Sequence, residues 1–184
     1  MELSFNKIML KHQKIPASKA DHPSSHRSIC LNFDADRLKN SDPLPTLIQS
    51  IAEFLELKSC RKQLYTILAE LYSNSLEHGL LQLDSSIKNS PEGFSQYYHE
   101  REVRLAALTE GSIRVDVTHM PTKTGGSLLM RIEDSGPGFE FSSNNVSLKS
   151  NMGHCGRGVP LIKSLCESVT YHGRGNIVEA VYKW

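Results

Sequence analysis

No apolar run in this chain approaches the roughly 18 residues that cross a bilayer, and Met1–Lys14 mixes charges among its apolar residues instead of forming a signal-peptide core. A membrane is therefore not an expected partner. An excess of one charge is missing too: 21 Lys and Arg stand against 20 Asp and Glu, a formal net +1. That balance argues against a direct nucleic-acid footprint. The four cysteines, Cys30, Cys60, Cys155 and Cys166, form no CxxC pair and no zinc-type spacing. They read as reduced thiols, which predicts a cytoplasmic setting. The chain also lacks Gly-x-x-x-x-Gly-Lys-Ser/Thr, which excludes a P-loop nucleotide site, and shows no internal repeat.

What is present suits one domain with a real core, since 184 residues bury enough apolar surface for that. Ile15–Arg27 has two prolines, several serines and no apolar period, so residues 1–27 are expected to be a tail or linker from an upstream region. Ser28–Phe33 alternates like a half-buried strand. Ser41-Asp-Pro43 starts a helix whose apolar spacing runs over Leu44–Leu57, and a second helix is expected from about Ser59 to Leu81. A polar break at Ser85–Gly93 precedes a third, Phe94–Leu108. Ser112–Thr118 and Ser127–Glu133 read as antiparallel strands turned at Pro121–Gly126. After a loop rich in Ser, Asn and Gly, Val159–Glu167 returns to helix. Ser168–His172 and Ile177–Trp184 then form a hairpin around Gly173–Asn176. The order βααα-ββ-α-ββ predicts an α/β (α+β) two-layer sandwich, a mixed, mostly antiparallel sheet with helices on one face.

Three segments carry chemistry. Glu70-Leu-Tyr-Ser-Asn74-Ser-Leu-Glu-His78-Gly79 places a carboxylate, a carboxamide and an imidazole at i, i+4 and i+8. At about 100° per residue these form one slowly rotating stripe. Glu77 falls almost above Glu70, and Leu64, Leu68, Leu71 and Tyr72 take the opposite, buried side. Such a stripe suits a solvated face as well as a site for a metal ion and a base. Asp134-Ser-Gly136-Pro-Gly138-Phe139 directly follows a strand. It fits a plain turn, and equally a place where a flat ligand nears the backbone while an Asp accepts from an exocyclic amine. Gly153-His-Cys-Gly156-Arg157-Gly158-Val-Pro160 opens a helix, where bare N–H groups, the helix dipole and Arg157 favour an anion.

Each segment is weak alone; in this order they resemble the boxes of the GHKL (HATPase_c) superfamily of ATP-binding domains, over about Ser28–Trp184. Glu-x-x-x-Asn is similar to the N box, and the two glycine segments to the first and second glycine boxes. The resemblance implies a Bergerat-type fold over residues 28–184, a lid at about 139–154, and ATP and Mg²⁺ as cofactors. It implies Glu70 as catalytic base and Asn74 as Mg²⁺ ligand. Asp134 would read the adenine amino group, Gly136 and Gly138 would admit the purine, and Gly153, Gly156, Arg157 and Gly158 would cradle phosphates. His78 resembles the family's histidine, with a scaffolding role as its rival. One departure is the Thr that many relatives place on the last strand near adenine, absent from Asn176–Val181.

The Glu-x-x-x-Asn-x-x-x-His-Gly arrangement further resembles anti-sigma-factor serine kinases of the RsbW/SpoIIAB type. The stretch at about 82–110 looks like an inserted helix of the kind seen in such domains behind SpoIIE-type phosphatases in response regulators. This implies a serine/threonine protein kinase acting on a STAS-type anti-anti-sigma partner, a sigma factor as second partner, and a homodimer as assembly. Two alternatives stay open. One is an ATP-holding module that sequesters its partner without catalysis. The other is the ATP-binding domain of a histidine kinase, although His12, His22 and His26 lie in linker-like sequence.

Overall fold

The computed structural model describes residues 26–54, 60–139 and 158–184. Five strands, β1 (Arg27–Asp34), β2 (Ser112–Pro121), β3 (Gly126–Asp134), β4 (Ser168–His172) and β5 (Ile177–Lys183), form one sheet in the order β1-β2-β3-β5-β4. The helices are α1 (Ala35–Asn40), α2 (Leu44–Phe54), α3 (Arg61–Asn74), α4 (Pro91–Ala107) and α5 (Gly158–Leu165). Every strand pairing among the described residues is antiparallel. The expected mixed component has no place there, because β5 inserts between β3 and β4 and keeps those two from pairing directly.

Period-two alternation decides which face the helices cover. Ile113, Val115 and Val117 of β2, Leu128, Met130 and Ile132 of β3, and Val178 and Ala180 of β5 are all buried. They join one core with Leu47, Ile48 and Ile51 of α2 and with Leu64, Ile67, Leu68 and Leu71 of α3. Neighbouring positions on the strands carry charge instead: Arg114 pairs with Asp116, and Arg131 reaches Glu133 and, across the β3–β5 register, Glu179. The sheet is thus apolar toward the helices and ionic on the other side, a two-layer α+β sandwich.

Local start signals explain the helix boundaries. Asp34 caps α1 by accepting from the Arg37 N–H at 3.0 Å. This six-residue helix was not among the expected elements, being too short for an apolar period. Asp42 accepts from the Leu44 N–H at 3.0 Å where α2 begins, and Ser90 caps α4 through the Gly93 N–H, also at 3.0 Å, with Pro91 in the first turn.

The end of α3 departs most from expectation. The regular helix stops at Asn74, and Ser75–Leu80 continue as a π turn in which the Leu81 N–H reaches back five residues to the Leu76 carbonyl at 2.8 Å. This wider turn interrupts the slowly rotating stripe expected through Glu70, Asn74 and His78. Glu77 consequently faces α4, not Glu70. It accepts from the Tyr97 hydroxyl at 2.6 Å and the Arg101 Nε at 3.1 Å, and pairs with Lys88 at 3.5 Å. Arg104 adds two 2.7 Å bonds to the carbonyls of Leu81 and Gln82. The stretch read as an inserted helix is therefore fastened to the end of the motif helix by charge-assisted bonds.

Replacing Glu77 with Ala leaves Arg101 and the buried Tyr97 hydroxyl without their shared acceptor. It should lower the unfolding free energy by about 2 kcal/mol. Chemical denaturation measures this, and a loss below about 0.5 kcal/mol, the range of ordinary surface changes, would mean that α4 is held by other contacts.

Candidate nucleotide site

Asp134 sits at the end of β3, pinned by its backbone. Its N–H donates to the Asn176 carbonyl at 3.0 Å, and the Asn176 amide donates back to the Asp134 carbonyl at 2.8 Å. The side chain is 5% exposed and turns under the π turn. One carboxyl oxygen accepts from the Gly136 N–H at 2.9 Å. Burial pushes the carboxyl up to about 6, against the opposing pull of the Gly136 N–H and the charge of Arg174.

Gly79 makes this burial sterically allowed. A Cβ there would lie 2.6 Å from the Asp134 Cγ and 2.7 Å from each carboxyl oxygen, and one on Gly136 would run into the Gly79 carbonyl. The glycine after His78 received no role from the sequence, yet it is what admits the base-reading candidate. Its signal was only its place in a helix, where a glycine costs stability without a compensating reason.

The neighbouring loop is interlocked with the β4–β5 turn. The Phe139 N–H donates to the Arg174 carbonyl at 2.9 Å, and the Phe139 ring stands edge-on to Tyr171 at 5.1 Å. Gly138 adopts φ +80, with the Arg174 carbonyl packed where a Cβ would be. The Asn176 amide, just before β5, is committed to the Asp134 backbone.

Farther back along α3, the Glu70 carboxylate lies against Gly158, the first residue of α5, filling the space of a missing Cβ. The first motif and the last glycine of the third thus meet directly. Asn74 follows one turn later on α3, half-buried. His78 is exposed, and its Nδ1 is 2.9 Å from the Leu83 carbonyl. Gly153, Gly156 and Arg157 and the expected lid from residue 140 onward lie outside the described residues, as do Leu57 and Ser59 and the tail up to residue 25.

Around α3 and its π turn the structure therefore has a buried carboxyl, Asp134 of β3, under Gly79, and the Glu70 carboxylate against a helix start. The sequence model of the histidine kinase-like ATPase domain matches residues 42–182. The chain belongs to this family. No curated protein matches the chain. As a histidine kinase-like ATPase domain it has the Bergerat fold of the GHKL superfamily, and ATP is the substrate that the family implies. No helix among the described residues is long and apolar enough to cross a membrane.

The raised Asp134 pKa fixes the sign of a stability effect. The folded state favours the protonated carboxyl, so this contribution is complete below pH 3.8, is lost as pH rises to about 6, and stays lost above it. Relative to wild type, Asp134→Asn should therefore gain about 2 to 3 kcal/mol between pH 4 and 6.5. Urea unfolding of both proteins across that range tests it. A difference that does not change with pH would show the carboxyl to be ordinarily hydrated.

Proposed function

We propose that this domain is a Mg-ATP-dependent protein serine kinase of the RsbW type, acting on a STAS-type anti-anti-sigma partner and so controlling release of a sigma factor. The contact of the Glu70 carboxylate with the start of α5 carries the reading. With adenine against Asp134 and Gly79, the phosphates would run toward that helix start, whose N–H groups and dipole favour them. Glu70 then stands at the phosphate end, within the region where a partner's serine hydroxyl must enter and give up its proton. Phosphoryl transfer asks a protein mainly for position and charge neutralisation.

The donor set suits Mg²⁺. Such an ion keeps several waters and takes most of its oxygens from phosphate, so it needs few ligands from the protein. Asn74 would be its ligand from the protein, and the ion would neutralise phosphate charge. Asp134 would accept from the adenine amino group, and Gly153, Gly156, Arg157 and Gly158 would hold the phosphates. His78, tied to the Leu83 carbonyl, would brace the π turn.

One observation favours the rival reading of a sequestering module. The Phe94 and Tyr98 rings meet at 4.9 Å, tilted by 58°, on α4 while both stay well exposed, a surface suited to a protein partner. The two readings part on catalysis. Mixed with its STAS partner and γ-labelled ATP, the wild type should transfer label to a serine. Glu70→Gln should cut transfer at least a hundredfold while nucleotide still binds. No transfer, or transfer undiminished in that variant, would sink the kinase reading, and loss of partner binding in Phe94→Ser would then support sequestration.

The adenine end has its own test. The ionised carboxylate is the better acceptor, so adenosine, which has no phosphate to titrate, should bind more tightly as pH rises through about 6. Calorimetry at pH 5 and pH 7 should show the difference for wild type and none for Asp134→Asn.

A further inference from the structure

The side of α3 turned away from Glu70 faces a second cleft, of about 290 Å³, between the α1–α2 junction and α4. Tyr72 lines it. This side chain is 4% exposed, and its hydroxyl has no hydrogen-bond partner among the described residues. Its ring is set edge-on against Phe33 at 6.3 Å. Buried hydroxyls are normally paired, so an unpartnered one on a residue that lines a cleft points to a group that the cleft receives.

The rest of the lining indicates which group. Leu38, Pro43, Leu76 and Leu105 supply apolar walls, and Lys39 and Arg101 bring positive charge. Asp42 is the lone acid of the lining, and one of its oxygens is held by the Leu44 N–H. The Arg101 Nε is engaged by Glu77, but a guanidinium carries further donors in the same plane. Lys39 makes only a 3.6 Å pair with the exposed Asp36. Donors on Arg101 and Lys39 beyond those these pairs use thus stand above apolar walls, with Asp42 as the nearby counter-charge.

We propose that this cleft binds a small organic acid, its carboxylate met by the Tyr72 hydroxyl, Arg101 and Lys39, and its apolar body held by the leucines and Pro43. The volume lies at the lower end for ligand sites and suits a single ring or a short alkyl chain. The site does not rest on the kinase reading, since none of its residues belongs to the candidate nucleotide site.

Phenylacetate, phenethylamine and 2-phenylethanol are suitable probes, titrated into the full chain by NMR with and without ADP. Phenylacetate should bind saturably, shift the amides of residues 38–42, and remain bound with ADP present. The amine and the alcohol should bind at least about tenfold more weakly, as expected when a charge-assisted bond is lost. Tyr72→Phe should weaken phenylacetate about tenfold, and Lys39→Glu, a change at a half-buried position outside the core should Tyr72→Phe fail to fold, should do likewise. The proposal is overturned by the absence of saturable shifts, by equal binding of the amine, by displacement with ADP, or by both variants binding as wild type.

Discussion

Desolvation of one carboxyl group organises the nucleotide end of this domain. Asp134 can be buried only because Gly79 has no side chain, because Asn176 pins its backbone from the next strand, and because Gly136 donates to it. Those three partners come from the π turn, from the turn just before β5 and from the loop after β3. The carboxyl is thus a joint between helix layer and sheet as well as a candidate recognition group. A buried acid held away from its usual ionisation costs stability, which makes it a candidate for ligand recognition.

The π turn determines how much of the site the sequence could reveal. Period counting found α3 and assigned Leu64, Leu68, Leu71 and Tyr72 to the core, all of which are buried. It could not find the widened turn, because a single added backbone register leaves no compositional mark. Glu77 was accordingly placed above Glu70, whereas it faces Tyr97 and Arg101. The strands were legible because apolar and polar residues alternate cleanly along β2, β3 and β5. Their neighbour order was not, since nothing local tells β5 to insert between β3 and β4. Of the candidate site, Glu70, Asp134 and Gly158 were legible through their motifs. Gly79 and Asn176 were not, because each acts through a long-range contact.

The family match begins at residue 42, yet β1 pairs with β2 along its whole length and Leu38 of α1 is buried in the common core. Those first elements complete the sheet edge and one wall of the second cleft. Together with α4, fastened to Glu77, they enclose a part of the fold that the candidate nucleotide site does not use. The domain therefore has two sides of α3 with different chemistry: one offers a carboxylate and a carboxamide, the other a phenol hydroxyl among apolar walls.

The contact between Glu70 and Gly158 couples two positions 88 residues apart in the numbering. They share one small volume, so they cannot drift independently during evolution. A relative that acquires a side chain at the position of Gly158 must shorten or swing away the residue at the position of Glu70, and with it gives up a carboxylate beside the helix start. Reading just those two columns across related sequences would then separate domains that keep the acid from those that have traded it for a closed helix–helix contact.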